Sequence, residues 1–224
     1  MTLQDEDGRY ERKFQISGFS FAELKIMIRN HPSFFTKAFP YRFVNNIYFD
    51  SPDLDNFTDN IEGSPIREKA RIRWYGDSFP YINSPVLEFK KKIGLLGFKQ
   101  QIALESFNLS SSSPIDSISE AVREIFFRDS NRFRPVLLNR YMRDYFISAD
   151  NKFRITLDQK LTYCHISTFK GIWNFIEPEL DVIIMELKYH PSLDKEAAVL
   201  TNHFPFRVTK SSKYAKGVYS TIGM

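Results

Sequence analysis

Basic residues recur at every second position in several stretches of this 224-residue chain, a spacing that places them on one face of an extended strand. Lys69, Arg71 and Arg73 share a face while Ala70, Ile72 and Trp74 share the other. Glu88, Lys90 and Lys92 stand opposite Leu87 and Phe89, and Glu11 and Lys13 opposite Tyr10 and Phe14. Glu186 and Lys188 alternate with Met185, Leu187 and Tyr189, Arg154, Thr156 and Asp158 alternate with Phe153, Ile155 and Leu157, and Tyr141, Arg143 and Tyr145 fall together. Cations arranged along lines suit a ligand whose negative charge is also spread along a line, and a triphosphate or longer polyphosphate has that form. Arginine offers a planar fork to phosphate oxygens and lysine a point charge. The few acids on these faces, Glu11, Glu88, Asp158 and Glu186, can pair with the bases or hold a divalent metal through oxygen.

What those side chains can do depends on the elements that carry them. Strand signals dominate, at roughly 9–16, 43–50, 66–76, 85–93, 97–107, 134–148, 152–163 and 180–189, and a short ninth could run over 205–209. Ser20 caps a helix from Phe21 to Asn30, with Glu23 completing a capping box. A second helix covers about 53–62, with Leu54, Phe57, Thr58 and Ile61 on one side and Gly63 free to turn left-handed after it. Asp116 to Phe127, Ser192 to His203 and Ser211 to Ile222 give three more. Asn108 to Pro114 reads as a loop between halves of one domain over 1–224.

Composition narrows the class. Hydrophobic residues are 42% and aromatics 16% of the chain, enough for a sizeable core, and the net charge is +4. Cys164 is the only cysteine, which excludes an internal disulfide framework and a cysteine-based zinc site. No apolar run is long enough for a spanning helix. Met1 to Gly8 carries three acids and no apolar stretch, so no secretory leader is read and the cytoplasm is the expected location. His31, His165, His190 and His203 lack ligand spacing and read as surface or loop residues, and Cys164 as a packing residue.

The alternating pattern alone is equally consistent with a sandwich whose charged faces look at water. Two features favour a barrel with the charge inside. The intervening helices carry apolar faces that need a sheet to cover, and about eight strands close into a barrel with a narrow interior. A lining so rich in Lys and Arg must then hold water and an anion, because uncompensated buried charge costs several kcal/mol per ion. Nucleic acid is the rival polyanion. It is disfavoured by the modest charge, by the lack of a recognised nucleic-acid motif, and by aromatics that fall at core positions instead of interleaving with the bases.

The residues then resemble a family, the VTC (vacuolar transporter chaperone) domain, the polyphosphate polymerase branch of the triphosphate tunnel metalloenzymes, which also include the CYTH triphosphatases. The resemblance runs through RYERKF (9–14), IYFDS (47–51), the helix ending at Gly63, KARIRWYG (69–76), LEFKKK (87–92), NRYMRDYF (139–146), RITLD (154–158), MELKY (185–189) and TKSSKYAKG (209–217). It implies an α+β fold, an eight-stranded antiparallel β-barrel forming a triphosphate tunnel, flanked by helices and closed by a C-terminal helix. Phosphate-binding positions implied by it are Lys13, Arg71, Arg73, Lys90, Lys99, Arg143, Arg154, Lys210 and Lys213, with Lys69 on the same strand face as Arg71. Glu186 is the implied metal ligand, with Glu11 as a second candidate, for Mn²⁺ or Mg²⁺. Arg71, Arg73, Lys90, Arg143 and Glu186 are the implied catalytic set.

The implied reaction passes the terminal phosphate of ATP to a growing polyphosphate chain, which needs alignment and charge neutralisation more than a covalent nucleophile. Arg9 stands where the triphosphatase branch has the first glutamate of a Glu-x-Glu-x-Lys strand, which favours the polymerase branch, and Gln101 stands where a further base is expected. Glu88 and Asp158 read as structural partners of Lys90 and Arg154. The expected form is free-standing, without the SPX domain of eukaryotic relatives. Alternatives are a tripolyphosphatase or nucleoside triphosphatase of the same fold, or a non-catalytic polyphosphate-binding module attached to a separate membrane partner.

Overall fold

A computed structural model describes residues 8–77, 80–109, 133–166, 176 and 181–222. Ten strands run in chain order as β1 (Tyr10–Ile16), β2 (Thr36–Asp50), β3 (Ile66–Tyr75), β4 (Tyr81–Ile82), β5 (Val86–Ile93), β6 (Leu96–Ala103), β7 (Phe107–Asn108), β8 (Arg134–Ile147), β9 (Arg154–His165) and β10 (Ile183–Tyr189). Helices are α1 (Phe21–Arg29), α2 (Asp55–Glu62), α3 (Asp194–Thr201) and α4 (Lys213–Ile222), with a 3₁₀ turn at Pro191–Leu193 ahead of α3. Eight strands form one sheet in the order β1-β10-β9-β8-β2-β3-β5-β6, and β4 pairs with β7 in a small second sheet. Every pairing in the large sheet is antiparallel. The expected barrel is present, with a qualification at its seam. No ladder joins β1 to β6; the two edges meet at one antiparallel bridge, Arg9 with Gly97, through N–H···O contacts of 3.3 and 3.2 Å.

Alternation decides which face goes where. The apolar faces of β1, β8, β9 and β10 present Phe14, Phe146, Ile155, Leu157, Met185 and Leu187 to Leu24 and Ile28 of α1 and Ala197 and Leu200 of α3. On the other flank Ile47, Ala70, Ile72, Trp74, Leu87 and Phe89 pack with Ile82 and Phe107 of the small sheet and with Leu109 and Phe133. Both layers lie outside the barrel, as the helical faces require. Buried Cys164 packs in the second layer. A third apolar cluster is inside: Val44, Tyr48, Leu137, Tyr141, Tyr163 and Ile184 surround Tyr214 and Val218 of α4. The C-terminal helix therefore fills part of the barrel. Gly217 permits this, because a Cβ there would lie 2.4 Å from Tyr163 Cδ1 and 2.6 Å from Leu137 Cδ2.

Local chemistry sets the helix ends. Ser20 Oγ accepts from Glu23 N–H at 3.2 Å and Glu23 Oε2 accepts from Ser20 N–H at 2.7 Å, the expected capping box. Gly63 closes α2 at φ 77° as read from sequence. At the front of α2 the sequence reading is corrected. The helix begins at Asp55 after Leu54 at φ 58°, Ile61 is exposed, and the buried carboxylate of Asp50 accepts the N–H groups of Asn56 and Phe57, at 3.0 Å each.

Other boundaries also differ. β2 starts at Thr36, seven residues before the expected 43, because irregularities between Lys37 and Phe39 and between Phe39 and Arg42 absorb Pro40. The expected 97–107 strand stops at Ala103, and Phe107–Asn108 pairs with β4 instead. The segment 205–209 is not a strand; Thr209 crosses β1 through its N–H on the Lys13 carbonyl at 2.7 Å. His31 is buried, with Nε2 3.0 Å from the Leu200 carbonyl and Nδ1 accepting from Ser33 N–H at 3.0 Å, so it joins α1 to α3 and is no surface residue. The expected helix from Asp116 to Phe127 lies outside the described residues. Among those described, no helix is long and apolar enough to cross a membrane.

Candidate functional site

The charged faces of the strands point into the barrel, where they form two clusters around buried carboxylates. One centres on Glu88 of β5. Arg71 donates to Glu88 Oε2 from Nε at 2.8 Å and from Nη2 at 2.6 Å, Lys99 lies 3.1 Å from Oε1, Arg73 lies 3.5 Å from Oε2, and Gln101 donates to Oε1 at 2.8 Å. Burial alone would raise the Glu88 pKa; Arg71, Arg73, Lys99 and Lys90 outweigh it and hold the carboxyl well below its ordinary range. The second cluster centres on Asp158 and Glu186. Arg143 forks onto Asp158 at 2.5 and 2.6 Å, and Lys213 from the start of α4 lies 2.7 Å from Asp158 and 2.9 Å from Glu186. Lys188 and Arg143 stand 3.3 and 3.5 Å from Glu186, and Lys13 3.9 Å. Burial opposes ionisation of Glu186, and Lys213, Lys188, Lys13 and Arg143 overcome it, so this carboxylate also stays charged.

Glu11 faces Glu186 across two shared lysines. Lys13 lies 3.6 Å and Lys188 3.8 Å from Glu11. Among the described residues no three His, Cys, Asp or Glu side chains gather into a metal cage. Polar groups further up the tunnel remain partly unspent. Arg73 Nε donates to Asn46 Oδ1 at 2.9 Å, and Asn46 Nδ2 to Asn139 Oδ1 at 2.8 Å, which leaves buried Asn139 Nδ2 without a partner among the described residues. The buried Thr156 hydroxyl, next to Glu186 in the sheet, also has none among the described residues.

Across β3, β5 and β6 the register aligns Lys69 with Lys90 and Lys90 with Lys99. Like charges directly opposite one another destabilise a sheet. Among the described residues, Lys99 alone of the three forms an ion pair, and Lys69 donates to Ser212 Oγ at 2.9 Å. Burial first, then Lys13, Arg67 and Arg71, push Lys69 down to about 7 against the opposing charge of Asp50. Burial and then Arg71 hold Lys90 well below the ordinary lysine range, with Glu11 opposing. The row is a cationic surface with too few anions, beside the N-terminal end of α4.

The VTC domain model matches residues 8–222. The chain belongs to the VTC domain family. Solved structures similar to it share its fold at low identity. A Hippeastrum protein, described as a candidate adenylyl cyclase with a dominant triphosphatase activity, is 12% identical with a TM-score of 0.53, over 96% of each chain. Candidate adenylate cyclases from Vibrio parahaemolyticus and Bacillus halodurans give TM-scores of 0.54 at 12% and 14% identity. The Vibrio match covers 93% of this chain and 98% of that one, and the Bacillus match 94% and 97%. No curated protein sequence matches. The α+β triphosphate-tunnel architecture read from sequence is the one this VTC chain adopts.

The expected site residues mostly converge. Lys13, Lys69, Arg71, Arg73, Lys90, Lys99, Arg143, Lys213, Glu11 and Glu186 all belong to the interior clusters or the lysine row. Arg154 and Lys210 are exposed: Arg154 sits opposite Lys188 at one end of the sheet, and Lys210 lies in the segment ahead of α4. Two pairings are corrected. Glu88 pairs with Arg71, Arg73 and Lys99, not Lys90, and Asp158 pairs with Arg143 and Lys213, not Arg154. A cross-strand register, invisible in one strand's alternation, decides both. Sequence reading missed Tyr48, whose hydroxyl accepts from Arg71 Nη1 at 3.1 Å, whereas the ion pair of Glu186 with Lys188, next along its strand face, is present at 3.3 Å. Nor do all aromatics sit apart from the bases. Arg42 packs 3.8 Å from the Tyr75 ring centroid and 5.0 Å from that of Tyr145, at one end of the barrel.

Proposed function

We propose that the protein is a metal-dependent polyphosphate polymerase, one tunnel unit that transfers the terminal phosphate of ATP to the end of a polyphosphate chain. The observation that carries this reading is the Lys69–Lys90–Lys99 row. Aligned lysines, of which Lys69 and Lys90 have depressed basicity, suit a linear polyanion, which would favour their charged forms along its length. A compact anion would neutralise one point and leave the rest.

In such a transfer the bond from the γ-phosphorus to the β–γ bridging oxygen breaks, ADP leaves, and an oxygen of the chain's terminal phosphate takes its place. The transition state is loose, with charge spread over the equatorial oxygens, so positioning and electrostatic stabilisation supply most of the catalysis. Arg71, Arg73 and Arg143, each fixed by a buried carboxylate or amide, present guanidinium groups that need no reorganisation. Among the described residues Lys90 is paired with no carboxylate that it would have to release before it meets a phosphate oxygen. Lys13, Lys69, Lys99 and Lys213 would hold the chain, with Arg154 and Lys210 nearer its ends.

Glu186 and Glu11 fit a hard divalent cation bound by one or two carboxylates and completed by phosphate oxygens and water. Bound Mn²⁺ or Mg²⁺ would supply charge neutralisation and alignment of the phosphates. Lys188 and Lys13, which now bridge the two carboxylates, would turn to phosphate. Arg9 supports polymerase over hydrolase, since it leaves β1 a single carboxylate, Glu11, on its interior face. ATP as donor implies a compartment that contains it, which suits the cytoplasm.

The test is to incubate the protein with ATP and Mn²⁺ or Mg²⁺, with and without a short polyphosphate primer, and resolve products on a gel. A ladder of lengthening chains, lost in Glu186→Gln and weakened in Arg71→Lys, is expected. These variants avoid stripping a buried carboxylate of its partner. Free phosphate without chains would reassign the site to hydrolysis, and tight polyphosphate binding without turnover to a binding module.

A further inference from the structure

ATP has a flat, uncharged base at one end and a polyanion at the other, and the cationic interior accounts only for the second. We propose that the base of the donor nucleotide stacks on Tyr75, backed by Arg42, at the end of the tunnel where β2 begins and β3 and β8 finish. The inference rests on the tunnel being a nucleoside-triphosphate site and adds which end of it the nucleotide enters.

Antiparallel neighbours put the start of β2 and the ends of β3 and β8 at the same end of the barrel. There the Arg42 guanidinium lies 3.8 Å from the Tyr75 ring centroid, and its Nε donates to the Tyr145 hydroxyl at 3.2 Å. Arg42 has no ion-pair partner among the described residues, so its charge is spent on aromatic rings. Tyr75 stays 40% exposed despite this backing, and Phe39, edge-on to Tyr145 at 5.6 Å, 56%. Bases stack on aromatic rings and on arginine planes whatever their sequence. Arg42 is also the cross-strand partner of Arg143, about 5 Å away along the sheet. A base on Tyr75 would therefore send its phosphates past Arg143 into the interior.

At the opposite end, where β3 begins, the described residues include the exposed aliphatics Ile66, Ile93 and Leu95, and the interior is the lysine row. That end suits a chain of phosphates without bases, so the two ends differ as donor and product differ.

The test compares binding of ATP and inorganic tripolyphosphate to the protein, to Tyr75→Ala and to Tyr75→Phe by calorimetry. Tyr75→Ala should weaken ATP about tenfold, within the range for losing one stacking aromatic, and leave tripolyphosphate within about twofold. Tyr75→Phe should keep ATP affinity. Unchanged ATP binding in Tyr75→Ala, or equal weakening of both ligands, overturns the stacking site while tripolyphosphate binding upholds the tunnel. Failure of the unaltered protein to bind either ligand overturns both.

Discussion

Binding of a linear phosphate at the lysine row should draw protons from solution, and Lys69 lets the number be worked out. Its pKa of about 7 means that about one-tenth of the amine is charged at about pH 8. A phosphate oxygen alongside favours the charged form, so binding should restore nearly full charge and take up about 0.9 proton at this residue. Lys90 is also held well below the ordinary lysine range, by burial first and then by Arg71. The assay is calorimetric titration of tripolyphosphate at about pH 8 in two buffers of different ionisation enthalpy, for the protein and for Lys69→Met. Protons exchanged by the ligand itself cancel in the comparison. Uptake should fall by about one proton in the variant, and the gap should shrink toward about pH 6, where Lys69 is already charged. An identical proton count in both proteins at about pH 8, with tight binding retained, would refute the reasoning. Without ligand the sign runs the other way: folded Lys69 lies below its unfolded value of 10.5, so its penalty on the fold is full below about 7 and fades as pH rises.

Three further outcomes follow from the same contacts. Tyr214→Phe removes the hydroxyl that donates to buried Asp50 Oδ2 and should cost about 1–3 kcal/mol in a urea melt; no loss would show that the bond does not hold α4 in place. Gly217→Ala sets a methyl against Tyr163 and Leu137 and should cost about 1–3 kcal/mol by overpacking, with weaker tripolyphosphate binding as Lys213 moves. His31 is lowered from 6.5 by burial first, with Leu200 hydrogen bonding opposing and His203 adding to the shift. Its penalty therefore begins as pH falls below about 6.5, so His31→Gln should flatten the acid-side loss of stability in melts from about pH 7 to 5; equal slopes would contradict this.

Much of the site was legible because strands report their faces directly. Lys69, Arg71 and Arg73 on β3, and Glu186 and Lys188 on β10, were readable as one side of a strand from spacing alone. The barrel sense of those faces followed from helices that needed covering. Pairing was not legible, because Arg71 meets Glu88 and Arg143 meets Asp158 only through a register fixed between strands. The bulged start of β2 was hidden by Pro40, and with it Arg42. His31 is a loop residue, in the bend after α1, but its burial was not legible, because a lone histidine carries no sign of the carbonyl, here that of Leu200, that will satisfy it in the core. Residues 205–209 alternate like a strand, yet make a single backbone crossing at Thr209.

The most direct measurement is a crystal structure of the protein with tripolyphosphate and Mn²⁺, using the anomalous signal of manganese to place the metal. If the tunnel carries the chemistry, the phosphates will run through the barrel between Arg143, Arg71 and the Lys69–Lys90–Lys99 row, with manganese on Glu186. Phosphate bound only on the outer surface, with the interior ion pairs undisturbed, would contradict the tunnel as the site.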